Sequence, residues 1–107
     1  MIDHTTSTPN LAVKIAEIPG IKAVDAPVSG GDVGARGGCL VTMIGGTEEA
    51  LEAALPLMNC YSANCQHMGG PGAGQHTKMS NQIMVAANMF GLCEALLYAQ
   101  KAGLNHE

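Results

Sequence analysis

Two short stretches of this sequence hold residue types that could do chemistry. The first runs Asp25-Ala-Pro-Val-Ser-Gly-Gly-Asp-Val-Gly-Ala-Arg-Gly-Gly38. An apolar strand ends at Pro27, and Ser29-Gly30-Gly31 follows. Glycines let backbone N–H groups approach an anion with no Cβ in the way. The serine hydroxyl adds a further donor, so the group suits a carboxylate or a phosphate. Taken alone, the same residues also read as a purely structural loop. The second stretch is Gly72-Ala-Gly-Gln-His-Thr-Lys78-Met-Ser-Asn81-Gln82. Lys78 falls in the first turns of a long helical pattern, with Asn81 three residues on along the same face. The positive end of the helix dipole raises the cost of a lysine's charge there. Such a lysine is placed to exchange a proton as a general acid and base. The plain alternative is a solvated lysine that happens to open a helix.

Other candidates carry less. His4, His67, His76 and His106 are scattered, and no two are spaced as helical ligand pairs. The four cysteines form no C-x-x-C, which argues against zinc. They read as buried thiols, and Met79, Met84 and Met89 read as core filling. No metal site is expected.

Around these stretches the pattern is α/β. Met1 to Asp3 reads as the end of a strand. Thr8-Pro9 starts a helix with a hydroxyl cap and a proline at the first position. Leu11, Ile15 and Ile18 give it one apolar stripe, and Pro19-Gly20 ends it. Residues 21–26 read as a strand and 28–38 as a glycine-rich loop with room for one helical turn. A strand follows over 39–44. Thr47-Glu48-Glu49 opens another helix, with acids in its first turn, and a short strand falls within 59–68. From about Gln75 to Ala102 only Gly91 weakens a helix, and Gly103 suits its end. That helix is apolar nearly all round and too long to lie on this chain's own core. Another part of the protein or another subunit is expected to cover it.

The 107 residues allow one ordinary domain. At 47% hydrophobic the chain is no disordered polymer, and at 13% charged it has few groups to cover a full surface. The net charge of −4 and the scattered lysines and arginines exclude a basic nucleic-acid patch. The apolar run of residues 83–99 is interrupted by Asn88 and Glu94, so no membrane span is expected.

Taken together, the motifs resemble the β-hydroxyacid dehydrogenase family, the group of 3-hydroxyisobutyrate dehydrogenase and tartronate semialdehyde reductase. The resemblance covers essentially the whole chain. It is carried by Asp3-His-Thr-Thr6 with Pro9, the Asp25–Gly38 segment, Met43-Ile-Gly-Gly46, the Gly72–Asn81 segment, and Glu94 to Leu104. It implies an α/β fold: the C-terminal part of a Rossmann-type NAD(P)-binding domain over residues 1–70, then the start of an all-α domain over 71–107. It implies a reversible hydride transfer between NAD or NADP and a small β-hydroxy acid or its semialdehyde. Lys78 would be the acid/base. Ser29, Gly30 and Gly31 would bind the substrate carboxylate, with Asn81 and Gln82 orienting the substrate. Thr6 would lie near the nicotinamide. Gln82 stands where many relatives carry a second asparagine.

No G-x-G-x-x-G follows a strand here. The chain therefore looks like the middle of a family member and is expected not to turn over by itself. Homo-oligomerisation through the long helix is also expected. Any targeting segment would lie upstream of Met1. Two other readings are a non-catalytic interaction relative and a decarboxylating 6-phosphogluconate-type enzyme. The set Ser29, Lys78 and Asn81 argues against the first, and Asn81-Gln82 against the second.

Overall fold

In the computed structural model, which describes residues 1–105, strand β1 (Ile2–Asp3) leads through a loop to helix α1 (Pro9–Ala16). The Thr8 hydroxyl accepts from the Leu11 N–H, and Pro9 sits in the first turn, as the sequence requires. The chain returns as β2 (Val24–Asp25), parallel to β1. Next come β3 (Val28–Ser29), α2 (Gly31–Arg36) and β4 (Leu40–Gly45). Helix α3 (Glu48–Met58), β5 (Ser62–Gly69) and α4 (Ala73–Lys101) complete the order.

β2 and β3 are one strand interrupted at Pro27. Both pair antiparallel with β4 in a single register: Asp25 with Gly45, Val28 with Thr42, Ser29 with Val41. The Pro27 carbonyl still accepts from the Met43 N–H, but proline has no N–H to return. β5 runs parallel to β4 on its other side, joined by α3.

Alternation along the paired strands divides the sheet's two faces. Val24, Ala26 and Ile44 meet Ala50, Ala54 and Met58 of α3, and this cluster is the main core. Asp25, Ser29, Met43 and Gly45 point to the opposite face, where the first turns of α4 pack beside α1.

Three elements differ from the sequence expectation. The glycine-rich segment forms β3 and a six-residue helix, α2, rather than a loop. Leu40 packs against Gly30 and Gly34, and that contact gives the short helix a support its own residues do not advertise. β5 is eight residues long although it is polar and does not alternate, because its backbone completes the β4 ladder. The cysteines are not buried: Cys39, Cys60 and Cys93 are exposed and Cys65 is half-buried, all as free thiols. Cys39 and Cys60 lie just before β4 and β5, Cys65 lies within β5, and Cys93 lies on the open part of α4.

That open part is large. Beyond Asn81, α4 buries no residue, and Met84, Met89, Phe90, Leu96 and Tyr98 are exposed. Met79, Met84 and Met89 are thus surface residues here and not core filling. The molecule measures 63 × 29 × 16 Å with a radius of gyration of 17.8 Å. A compact chain of this length has about 13 Å. By length and composition α4 is apolar enough to cross a membrane, more so than its interrupting polar residues suggest. Its first turns, however, are bound to the sheet.

Candidate active site

The attachment of α4 starts with Asp25. Gly72, the residue before the helix, has a left-handed backbone (φ 89°) and no side chain to cap the first turn. Asp25 does so from the sheet. Its Oδ1 accepts from the Gly72 N–H and its Oδ2 from the Gln75 N–H, both at 2.8 Å. The carboxylate is 4% exposed, and the positive end of the helix suits its charge. Two glycines allow this approach. A Cβ on Gly45 would lie 2.5 Å from Asp25 Oδ1, and one on Gly74 would lie 2.5 Å from the Met43 carbonyl oxygen.

Removing the Asp25 carboxylate leaves two buried N–H donors without partners. We expect Asp25→Ala to destabilise the chain by about 2 kcal/mol, with α4 detaching from the sheet first. Urea unfolding of the variant and the parent measures this, and equal midpoints would contradict it.

Gln75 and Lys78 follow along the buried face of α4. Gln75 is 1% exposed and Lys78 is 9% exposed. Lys78 Nζ donates to the Val28 carbonyl oxygen at 2.8 Å. Neighbouring carbonyls of a strand point in opposite directions. Pro27 directs its oxygen at β4, so Val28 directs its oxygen off the sheet, past the point where β1 ends. Lys78 supplies the donor that this carbonyl lacks within the sheet. Its ammonium is thereby fixed on the residue that precedes half-buried Ser29, with the exposed Gly30 and Gly31 following. Both glycines have positive φ, 127° and 61°, a turn that side chains resist.

The structure therefore joins the two stretches singled out in the sequence. It also brings in a third. Gln75 Nε2 donates to the Thr5 carbonyl oxygen at 2.7 Å, and its Oε1 accepts from the Ser7 N–H at 2.9 Å. Thr6 lies between these two bonds and is exposed. Asn81 is half-buried one turn beyond Lys78, and its Nδ2 donates to Oε1 of exposed Gln82 at 3.2 Å. Asp25 and Gln75 were not singled out by their spacing. The available signal was a carboxylic acid and an amide standing among apolar and glycine neighbours.

On the opposite face, His4 Nδ1 lies 2.6 Å from the Ala26 carbonyl oxygen and must carry its proton there. His4 Nε2 then accepts from the Tyr61 hydroxyl at 2.7 Å. Burial, aided by Cys65 and Cys60, pushes the Tyr61 hydroxyl above its ordinary pKa and keeps it a donor. The described residues include no group of three or more histidines, cysteines or acids that could hold a metal ion. His106 lies outside the described residues.

A nicotinamide dinucleotide can be tested against this arrangement. In open α/β sheets, ligands bind beyond the carboxyl ends of the parallel strands. Here the C-terminal end of β1 carries the Thr6 loop, pinned and open to solvent, with Lys78 nearby. These residues fit the reactive end of such a cofactor. The glycine motif that would hold its pyrophosphate is absent from this sequence.

A parallel βαβ unit with this loop, followed by a long helix, defines the class: the C-terminal part of a Rossmann-type NAD(P)-binding domain that leads into a helical region. Comparison with known proteins agrees. Residues 1–70 match the NAD binding domain of 6-phosphogluconate dehydrogenase, and residues 72–107 match the NAD-binding region of NADP-dependent 3-hydroxyisobutyrate dehydrogenase. The chain belongs to this dehydrogenase family.

An uncharacterized oxidoreductase of Bacillus subtilis is 54% identical over 110 residues, covering 100% of this chain and 38% of its own length. The 2-hydroxy-3-oxopropionate reductase of Escherichia coli is 46% identical over 96 residues, covering 90% of this chain and 32% of its own length. A Mycobacterium tuberculosis 3-hydroxyisobutyrate dehydrogenase, solved with L-serine, superimposes with a TM-score of 0.88 at 36% identity. That match covers 98% of this chain and 37% of the other. The chain thus spans about a third of the length of the relatives it matches.

Proposed function

We propose that this chain is the substrate-side part of an NAD(P)-dependent oxidoreductase that interconverts a small β-hydroxy acid and its semialdehyde. The observation that carries the reading is Lys78 Nζ held at 2.8 Å on the Val28 carbonyl, beside Ser29-Gly30-Gly31. The names of the relatives, a dehydrogenase and a reductase of such acids, support it.

On this reading, NAD or NADP supplies or accepts the hydride when bound, with Thr6 beside its nicotinamide end. Ser29 and the N–H groups of Gly30 and Gly31 hold the substrate carboxylate, and the positive φ at both glycines presents those groups. Asn81 and Gln82 orient the rest of the substrate. Lys78 exchanges a proton with the substrate oxygen: it accepts the hydroxyl proton during oxidation and returns it during reduction. In its charged form, the proton donor of the reduction, Lys78 gives one of its three N–H groups to the Val28 carbonyl and keeps two for that oxygen; as the neutral base of the oxidation it keeps one N–H on Val28 and turns its lone pair to the hydroxyl proton. Holding carboxylate and oxygen at two fixed points aligns the carbon between them for hydride transfer.

Residues 1–70 are then the cofactor-domain part and 71–107 the opening of an all-α domain. The exposed apolar length of α4 supports a homo-oligomer built through this helix. No nucleic acid or membrane enters the reading, which the net charge of −4 supports for nucleic acid. The 107-residue chain by itself is not expected to turn over.

The test is made on the native protein that contains this sequence. NADH and NADPH are each offered with three- and four-carbon semialdehydes, and cofactor oxidation is followed by absorbance. Light scattering on the same preparation gives the assembly size. Oxidation with at least one acid semialdehyde is expected. No oxidation with any of them would reject the activity, and a monomeric mass would reject the oligomer.

A further inference from the structure

Gln75 makes a contact that the proposed chemistry does not use. Its side-chain amide bonds to the backbone on both sides of a single residue, Thr6. Nε2 donates to the Thr5 carbonyl at 2.7 Å and Oε1 accepts from the Ser7 N–H at 2.9 Å. Only one orientation of the amide satisfies both bonds, so the assignment of oxygen and nitrogen is fixed by its partners. Gln75 thus holds residues 5–7 as a neighbouring strand would, from a helix. It cannot swing away, because it is 1% exposed and its own N–H is bound to Asp25 Oδ2. Asp25 is in turn part of the sheet, so sheet, helix and loop share one polar junction. Lys78 lies three residues along the same helix face.

We propose that Gln75 is a positioning residue for the cofactor: it fixes the backbone at Thr6 against the helix that carries Lys78. This rests on the function proposed above. Thr6 is exposed, and although Asp3 Oδ1 holds Thr5 through its N–H and hydroxyl, among the described residues Gln75 alone ties the backbone on both sides of Thr6 to α4. Ordering one residue's backbone costs free energy equivalent to roughly a tenfold change in a binding constant. With Gln75 in place that ordering is complete before the cofactor arrives. Without it, binding must order the loop as well.

The test uses the native protein with Gln75→Met, which keeps the volume and removes both bonds. Gln75→Glu serves as a second variant, since its carboxylate can still accept from Ser7 but cannot donate to Thr5. Two quantities are read: hydrogen exchange of the Ser7 amide without cofactor, and the Kd for NADH and NADPH by fluorescence titration. We expect Ser7 exchange to rise at least tenfold and the cofactor Kd to rise roughly tenfold in Gln75→Met. The KM for the acid substrate should stay unchanged, and Gln75→Glu should fall between parent and Gln75→Met. A cofactor Kd that does not change while Ser7 exchange rises would leave Gln75 a structural residue only, and the inference would be overturned. Unchanged Ser7 exchange would overturn it too. If Gln75→Met does not fold, Gln75→Leu, which also removes both bonds, is read in the same two ways. A parent protein that binds neither cofactor would instead refute the proposed function, and the positioning role would fall with it.

Discussion

Lys78→Met in the native enzyme is expected to lower kcat about 1000-fold, the middle of the range for losing a positioned general acid/base. The methionine keeps the unbranched apolar stem and ends one atom short of the lysine, so packing against the sheet is retained. It also deprives the Val28 carbonyl of its donor, which costs stability. Lys78→Arg separates the two effects. Arginine keeps a charge and a donor for Val28 but does not release a proton near neutral pH. Both variants should therefore lose turnover, while only Lys78→Met should lose the bond to Val28. Steady-state kinetics and thermal melts on the two proteins make the comparison. A Lys78→Arg enzyme with more than a tenth of the parent kcat would remove Lys78 from the proton-transfer role.

The motifs that suggest this role are local in sequence, and the structure explains why they were legible. Ser29-Gly30-Gly31 and Lys78 each advertise themselves by residue type within a few positions. The caps of α1 and α3 do so as well, because Thr8 and Thr47 bond to the third residue after them. What joins the parts is not local. Asp25 caps a helix whose N-cap, Gly72, stands 47 residues later, and Gln75 reaches a loop 68 to 70 residues earlier. No window of the sequence contains both partners. The same holds for β5, whose polar residues form a strand because β4 offers its edge. It holds for the cysteines too. Residue type favours burial for a thiol, but exposure is set by whichever element lies opposite, and nothing among the described residues lies over Cys93. The long helix was the reverse case. Its all-round apolar pattern and its length could be weighed against the rest of the chain by arithmetic, and the structure leaves it uncovered beyond Asn81.

The other large effect concerns a single methyl group. Gly74→Ala is expected to destabilise the fold by about 4 kcal/mol, above the usual cost of overpacking. The added Cβ would lie 2.5 Å from the Met43 carbonyl oxygen and 2.6 Å from that of Asp25. Both oxygens belong to paired strands at the centre of the sheet, so neither can yield as the end of a flexible side chain would. The helix must move out instead. Even a small outward shift lengthens both bonds to the Asp25 carboxylate and draws Lys78 away from Val28. The backbone conformation is not at fault, since Gly74 is an ordinary helical residue and alanine is the better helix former. Gly70→Ala is the matched control. It stands four residues earlier with open space around its Cβ position, and its φ is not positive. That variant should unfold within about 0.5 kcal/mol of the parent. Urea titrations of the three proteins test the pair. A Gly74→Ala chain as stable as the Gly70→Ala chain would mean that α4 does not rest on the sheet at this distance, and the junction of Asp25, Gln75 and Lys78 would have to be redrawn.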